Sequence, residues 1–210
     1  DGTGDVFVDY VAADADALTL ALTATGATGA MNYESVATGA LTLDAVSTAG
    51  NNVTISHAGP ITVTAVTTTT GSQTITTSSG TIAVTDINTS TGAVTITGTD
   101  DITINNTGSI TATGAANIDI DSSAGHIRSN AADDNAAEII TVDGTISLEA
   151  RDGIADSSGS DGFEIDSGGG NVTLVADGTG DVFVDYVAAD ADALTLALTA
   201  TAAKIGRAHV

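Results

Sequence analysis

The chain has 210 residues, 27 acidic against four basic, with a formal charge of −23, yet 42% of it is hydrophobic and its mean hydropathy is +0.25. That acidity excludes a nucleic-acid partner, whose phosphates would be repelled, and an anionic membrane surface, while the Val, Ile and Leu content excludes a disordered chain of equal charge. Cys and Trp are absent, Pro occurs once and aromatics are 3%, so the core must be built from thin layers of small aliphatic side chains.

The first 25 residues, "DGTGDVFVDYVAADADALTLALTAT", return unchanged at 177–201. An error-free copy at that distance reads as a tandem duplication, or as an assembly product of a repetitive gene. Either way the architecture must tolerate block insertion. A solenoid does, because each coil touches only its neighbours.

From residue 52 onward the strand signal is continuous. "NVTIS" (52–56), "ITVT" (61–64), "TIAVT" (81–85), "AVTIT" (93–97), "DITIN" (101–105) and "NIDID" (117–121) alternate apolar with polar residues, as do "TISLE" (145–149), "NVTLV" (171–175) and "DVFVD" (181–185). Such alternation gives each strand one dry and one wet face. Gly, Asn, Asp and Ser fill the gaps as turn residues. The one candidate helix is "AADDNAAEII" (131–140), which also reads as a loop bulging from a turn.

Spacing sets the architecture. The first inward residues form two interleaved series, Val53, Gln73, Val94 and Ile61, Ile82, Ile102, each stepping by 20 or 21. A unit that short cannot close a sandwich, but it matches one coil of a solenoid. The expected fold is all-β, a right-handed parallel β-helix with about 20 residues per coil. On that spacing the 176-residue offset between the copies spans roughly nine coils. The alternative is an array of immunoglobulin-like sandwiches, which want longer strands, bulky aromatics and more Pro. Residues 1–203 are expected to form one continuous solenoid. Ile205–Val210 resembles the translation of a short-read sequencing adapter, so residues 204–210 are expected to be a scar that adds no strand. Without Lys204 and Arg207 the formal charge is −25. The segment is then expected to be a fragment of a longer repetitive protein.

The stretch 144–186 resembles filamentous haemagglutinin-like adhesins and related giant bacterial surface proteins. The matching positions are Gly144, Ile146, Leu148 and Ala150, then Asp152–Ile154, then Gly170–Leu174. The resemblance implies a parallel β-helix, export to the medium or the bacterial cell surface, and a non-catalytic structural or adhesive role. It implies host, neighbouring-cell or surface ligands, engaged through other parts of the full-length protein. No nucleic acid is expected. No membrane insertion is expected either, since no apolar run approaches about 20 residues.

Residues suited to chemistry are sparse. His57 and His126 are isolated, and no Ser has the neighbours of a nucleophilic triad. Arg151, Asp152 and Asp156 are a polysaccharide-lyase-like set that reads more simply as a polar turn. Calcium is the one cofactor suggested, since "DSGGGNVTLVADGTGDVFVDY" resembles a Gly-Asp nonapeptide. The candidate ligands are Asp177 and Asp181 and their copies Asp1 and Asp5, then Asp100 with Asp101 and Asp133 with Asp134. However, Val172 or Val182 stands where that motif needs an Asp. Asn-x-Thr/Ser sequons at 52, 88, 105 and 171 are expected by chance in such a composition. Of 36 Thr, 17 lie between 51 and 100, which raises an ice-binding face. Its hydroxyl pairs at 62–64, 74–76, 95–97 and 111–113 step by 12, 21 and 16, so they are not expected to share one rank.

Overall fold

The computed structural model describes residues 4–11, 15–24, 29–130, 136–156, 162–187 and 194–201, and the backbone of 205–209. The strands in chain order are β1 (Val6–Tyr10), β2 (Leu18–Ala24), β3 (Met31–Ser35), β4 (Leu41–Thr48), β5 (Val53–His57), β6 (Ile61–Val63) and β7 (Val66–Thr68). They continue as β8 (Gln73–Thr77), β9 (Ile82–Thr89), β10 (Val94–Gly98), β11 (Ile102–Ala112), β12 (Ile118–Ser122), β13 (His126–Ser129) and β14 (Ile139–Thr141). The last are β15 (Ile146–Ala150), β16 (Gly153–Asp156), β17 (Phe163–Asp166), β18 (Asn171–Ala176), β19 (Val182–Tyr186), β20 (Thr195–Ala200) and β21 (Ile205–His209).

The protein is an all-β parallel solenoid of about 7 turns, about 24 residues each. Nine strands form one sheet in the order β1-β3-β5-β8-β10-β12-β15-β18-β20, and twelve form a second. The second sheet is folded along its length: β4 pairs β6 through Leu41–Leu43 and β7 through Val46–Thr48. Each turn therefore presents three short faces. Every pairing among the described strands is parallel, with none of the antiparallel hairpins of a sandwich array.

Both predicted series stack in register. Val53 pairs with Gln73 and Gln73 with Val94; Ile61 pairs with Ile82 and Ile82 with Ile102. The expected inward residues Val53, Ile61, Ile82, Val94, Ile102, Ile118, Ile146, Leu148, Val172 and Leu174 are all buried. A lone strand of four or five residues cannot bury its apolar side. Stacked at about 4.8 Å it joins a continuous aliphatic column, and each buried Val, Ile or Leu contributes about 1.5–3 kcal/mol.

Three expectations are corrected. The 20-residue coil holds only in the middle, because later turns carry extra residues between strands: Val94 pairs with Ile118 and Ile118 with Ile146. The offset of 176 residues accordingly spans seven steps from β1 to β18 plus half a turn, rather than nine coils. The helix expected at 131–140 is not formed over its second half, where Ile139–Thr141 is strand β14; Asp133 and Asp134 lie outside the described residues. The tail does add a strand, since β21 pairs with β19, with Val182 opposite Ile205 and Asp185 opposite His209. An uncovered solenoid edge offers backbone groups to any following segment, whatever its side chains.

The four Thr pairs do not share one rank, as their spacing predicts, although two of them do. Thr54 and Ser56, Thr74 and Thr76, and Thr95 and Thr97 lie in register on the outer face of the nine-stranded sheet. Thr62 and Thr111 belong to the twelve-stranded sheet.

The two identical copies are not equivalent. In the first, "VFVDY" is β1 of the nine-stranded sheet and "LTLALTA" is β2 of the twelve-stranded one. In the second, "VFVDY" is β19 of the twelve-stranded sheet, and "TLALTA" is β20 of the nine-stranded one. Half a turn of phase separates them, so each half of the repeat changes sheets.

Candidate functional site

Most polar side chains inside the solenoid close its corners. At the ends of strands in the twelve-stranded sheet, Thr48, Thr68, Thr89, Thr141 and Ser167 are buried. Thr68 Oγ1 donates to Gly71 O at 2.6 Å, Thr141 Oγ1 to Ala116 O at 2.7 Å and Ser167 Oγ to Gly170 O at 3.0 Å. At the ends of strands in the nine-stranded sheet His57 Nε2 donates to Gly39 O at 2.7 Å and Thr77 Oγ1 to Gly59 O at 2.6 Å. A buried turn carbonyl must find a donor, which accounts for His57 and for these hydroxyls as structure rather than chemistry. The signal for them was present as a Thr or Ser three residues before a turn Gly, at 68–71, 89–92 and 167–170.

The feature open to solvent that carries mixed chemistry is a notch on the twelve-stranded sheet. It follows from strand register. Ile127 pairs with Ile154 and Ile154 with Val182, and all three are buried, so their neighbours point outward. On β13 those neighbours are His126 and Arg128. On β16 they are Gly153 and Ala155, and around Val182 they are Asp181, just before β19, and Phe183. The middle strand carries almost no side chain between two that carry large ones. These residues, with Asp152, Thr179 and Gly180, line a cavity of about 230 Å³. Gly153 has φ of 126°, a conformation that favours Gly, so backbone geometry itself keeps the floor bare.

The basic wall is braced from behind. His126 donates from its backbone N–H to Asp101 Oδ1 at 2.8 Å, and its Nδ1 lies 3.2 Å from the same oxygen. Arg128 Nε is 3.7 Å from Asp101 Oδ2 and, buried, has no hydrogen-bond partner among the described residues. Burial pushes the Asp101 carboxyl up, but the His126 hydrogen bonds and the charges of His126 and Arg128 outweigh it, and its pKa falls below the usual value.

The residues singled out in the sequence are scattered. Asp181 is on the wall of the notch. Asp177 is exposed, and its charge, after burial and the charge of Asp119, helps raise the pKa of Asp121. Asp5 Oδ1 caps the Ala30 N–H at 2.9 Å, and Asp1 lies outside the described residues. Asp100 Oδ2 accepts from Gly80 N at 3.1 Å, while Asp101 braces the notch. Of the lyase-like set, Asp152 lines the notch, Arg151 is exposed and the Asp156 side chain lies outside the described residues. Among the described residues no three His, Cys, Asp or Glu come together to hold a metal ion. The juxtaposition of Arg128 with Phe183 is not legible in the sequence, because 55 residues separate them in the chain.

No protein-family model, curated protein or solved structure matches this chain.

Proposed function

We propose that this chain is a non-catalytic structural and adhesive stalk segment of a secreted or bacterial cell-surface adhesin. Its partners are host, neighbouring-cell or surface ligands. The observation that supports this best is the unbroken parallel ladder: nine strands of one sheet stack in sequence order from β1 to β20 over one hydrophobic column. Such a structure transmits load along its axis and lengthens by whole blocks without disturbing a closed core. The test is turnover of acidic polysaccharides by the purified chain, with and without calcium. No product is expected; lyase activity that disappears in Arg151→Ala would overturn the reading.

A second reading rests on the registered hydroxyls of Thr54, Ser56, Thr74, Thr76, Thr95 and Thr97, which form a small regular array on one sheet face. Such an array orders water, and this reading is ice binding. Inhibition of ice recrystallisation that is lost in Thr74→Lys with Thr95→Lys would establish it; absence of inhibition by the parent chain would dismiss it.

A further inference from the structure

We infer that the notch between Arg128 and Phe183 binds one uncharged sugar ring of a surface saccharide. The inference deepens the adhesive part of the reading above and rests on it for biological context.

The shape comes first. With β16 reduced to Gly153 and Ala155, the flanking strands β13 and β19 stand two strand spacings apart, about 10 Å between backbones. His126 and Arg128 rise on one side, Asp181 and Phe183 on the other. The cavity, about 230 Å³, lies just below the usual range of small-molecule pockets, a size for one ring and not for a long ligand buried end to end.

The charges then select the ligand. Among the described residues, Asp101, Asp152 and Asp181 face one Arg and one His, on a chain of formal charge −23. An anion is repelled by this balance. A cation drawn to Asp152 and Asp181 meets Arg128 across the notch. An uncharged ring bearing several hydroxyls suits both walls, because each hydroxyl both donates and accepts. Hydroxyls donate to the carboxylates of Asp152 and Asp181 and accept from the guanidinium of Arg128, all of which line the cavity. Phe183 supplies an apolar face for the C–H side of the ring.

The duplication provides an internal control. Phe7 sits in the same 25-residue sequence as Phe183 and is 71% exposed. Its surroundings on the nine-stranded sheet are Asn32, Glu34, Thr54 and Ser56, with no basic residue. Sequence context is therefore constant between the two rings, and only the tertiary neighbours differ.

The experiment is a titration of the full chain with methyl glucoside, methyl galactoside and glucuronic acid, followed by NMR of the His126 ring protons, with buried His57 as the reference. At least one neutral glycoside should shift His126 saturably, and glucuronic acid should bind more weakly. Phe183→Leu, which keeps apolar bulk without the ring, and Arg128→Gln should each weaken binding about tenfold or more, equivalent to about 1.4 kcal/mol. Phe7→Leu should leave it unchanged. An unmoved His126 signal with both neutral glycosides, tighter binding of glucuronic acid, or full binding by Phe183→Leu with an unaltered circular dichroism spectrum would each overturn the site. Those results concern the notch alone, whereas polysaccharide turnover would overturn the stalk reading and leave the notch standing.

Discussion

Glu164 donates its backbone N–H to Glu138 Oε2 at 2.7 Å, and Glu138 returns its own N–H to Glu164 O at 2.9 Å. Both side chains are buried. Burial raises the Glu138 carboxyl to about 7, with the Glu164 charge adding to the rise and hydrogen bonds from Glu164 N–H and Ser129 opposing it. The folded state therefore holds a proton that the unfolded chain, at 4.5, releases earlier. The stabilisation from that proton is complete below about pH 4.5 and is lost as pH rises through 7. Glu138→Gln should remove up to about 3 kcal/mol of this dependence, at about 1.4 kcal/mol per unit. Unfolding midpoints of both proteins from pH 4 to 9 check it: the variant gains on the parent above pH 7, and parallel curves would refute the assignment.

Asp121 stacks directly on Glu149, and Asp9 on Glu34. Like charges one strand spacing apart cost about 1 kcal/mol in water, and salt screens their more distant neighbours. The chain should melt lower in 10 mM salt with chelator than in 150 mM NaCl. Calcium at matched ionic strength should add nothing further, because Asp177 and Asp181 have different surroundings. A calcium increment abolished by Asp177→Asn with Asp181→Asn would instead place a site at that turn.

Val8 and Val184 are the same residue of the two identical copies, yet Val184 is buried to 6% exposure while Val8 is only partly covered. Val184→Ala should cost about 1–2 kcal/mol and Val8→Ala less than half as much. Equal costs, measured by denaturant unfolding, would contradict the difference in burial between the copies.

Gln73 occupies an inward position between Val53 and Val94 and is fully buried. Its Nε2 donates to Asn88 O at 2.7 Å and to Thr68 Oγ1 at 3.1 Å, while its Oε1 has no partner among the described residues. Losing two neutral hydrogen bonds and relieving one buried acceptor nearly cancel. Gln73→Leu should therefore shift stability by less than about 1 kcal/mol. Gln73→Ala, which leaves a void, should cost about 2 kcal/mol or more.

The parallel stack and its inward columns were legible because alternation and spacing are local properties. Val53, Gln73 and Val94 repeat at nearly constant steps, and each must bury the same side. The average turn length was not legible from that stretch, since extra residues enter at the bends beyond Ile102, where no column constrains them. Glu164 was hidden for a related reason: Phe163, Glu164 and Ile165 are buried in succession, so alternation no longer tells inside from outside.

Composition and periodicity thus determined an acidic all-β solenoid, because every short strand has one apolar side that only stacking can bury. Tertiary structure decided the rest. It put Phe183 across a bare Gly153–Ala155 floor from Arg128, and left Phe7, in the same 25 residues, among Asn32, Glu34, Thr54 and Ser56. Two identical sequences differ here only in phase around the coil, and phase is the summed length of all intervening turns, a quantity that no local pattern contains.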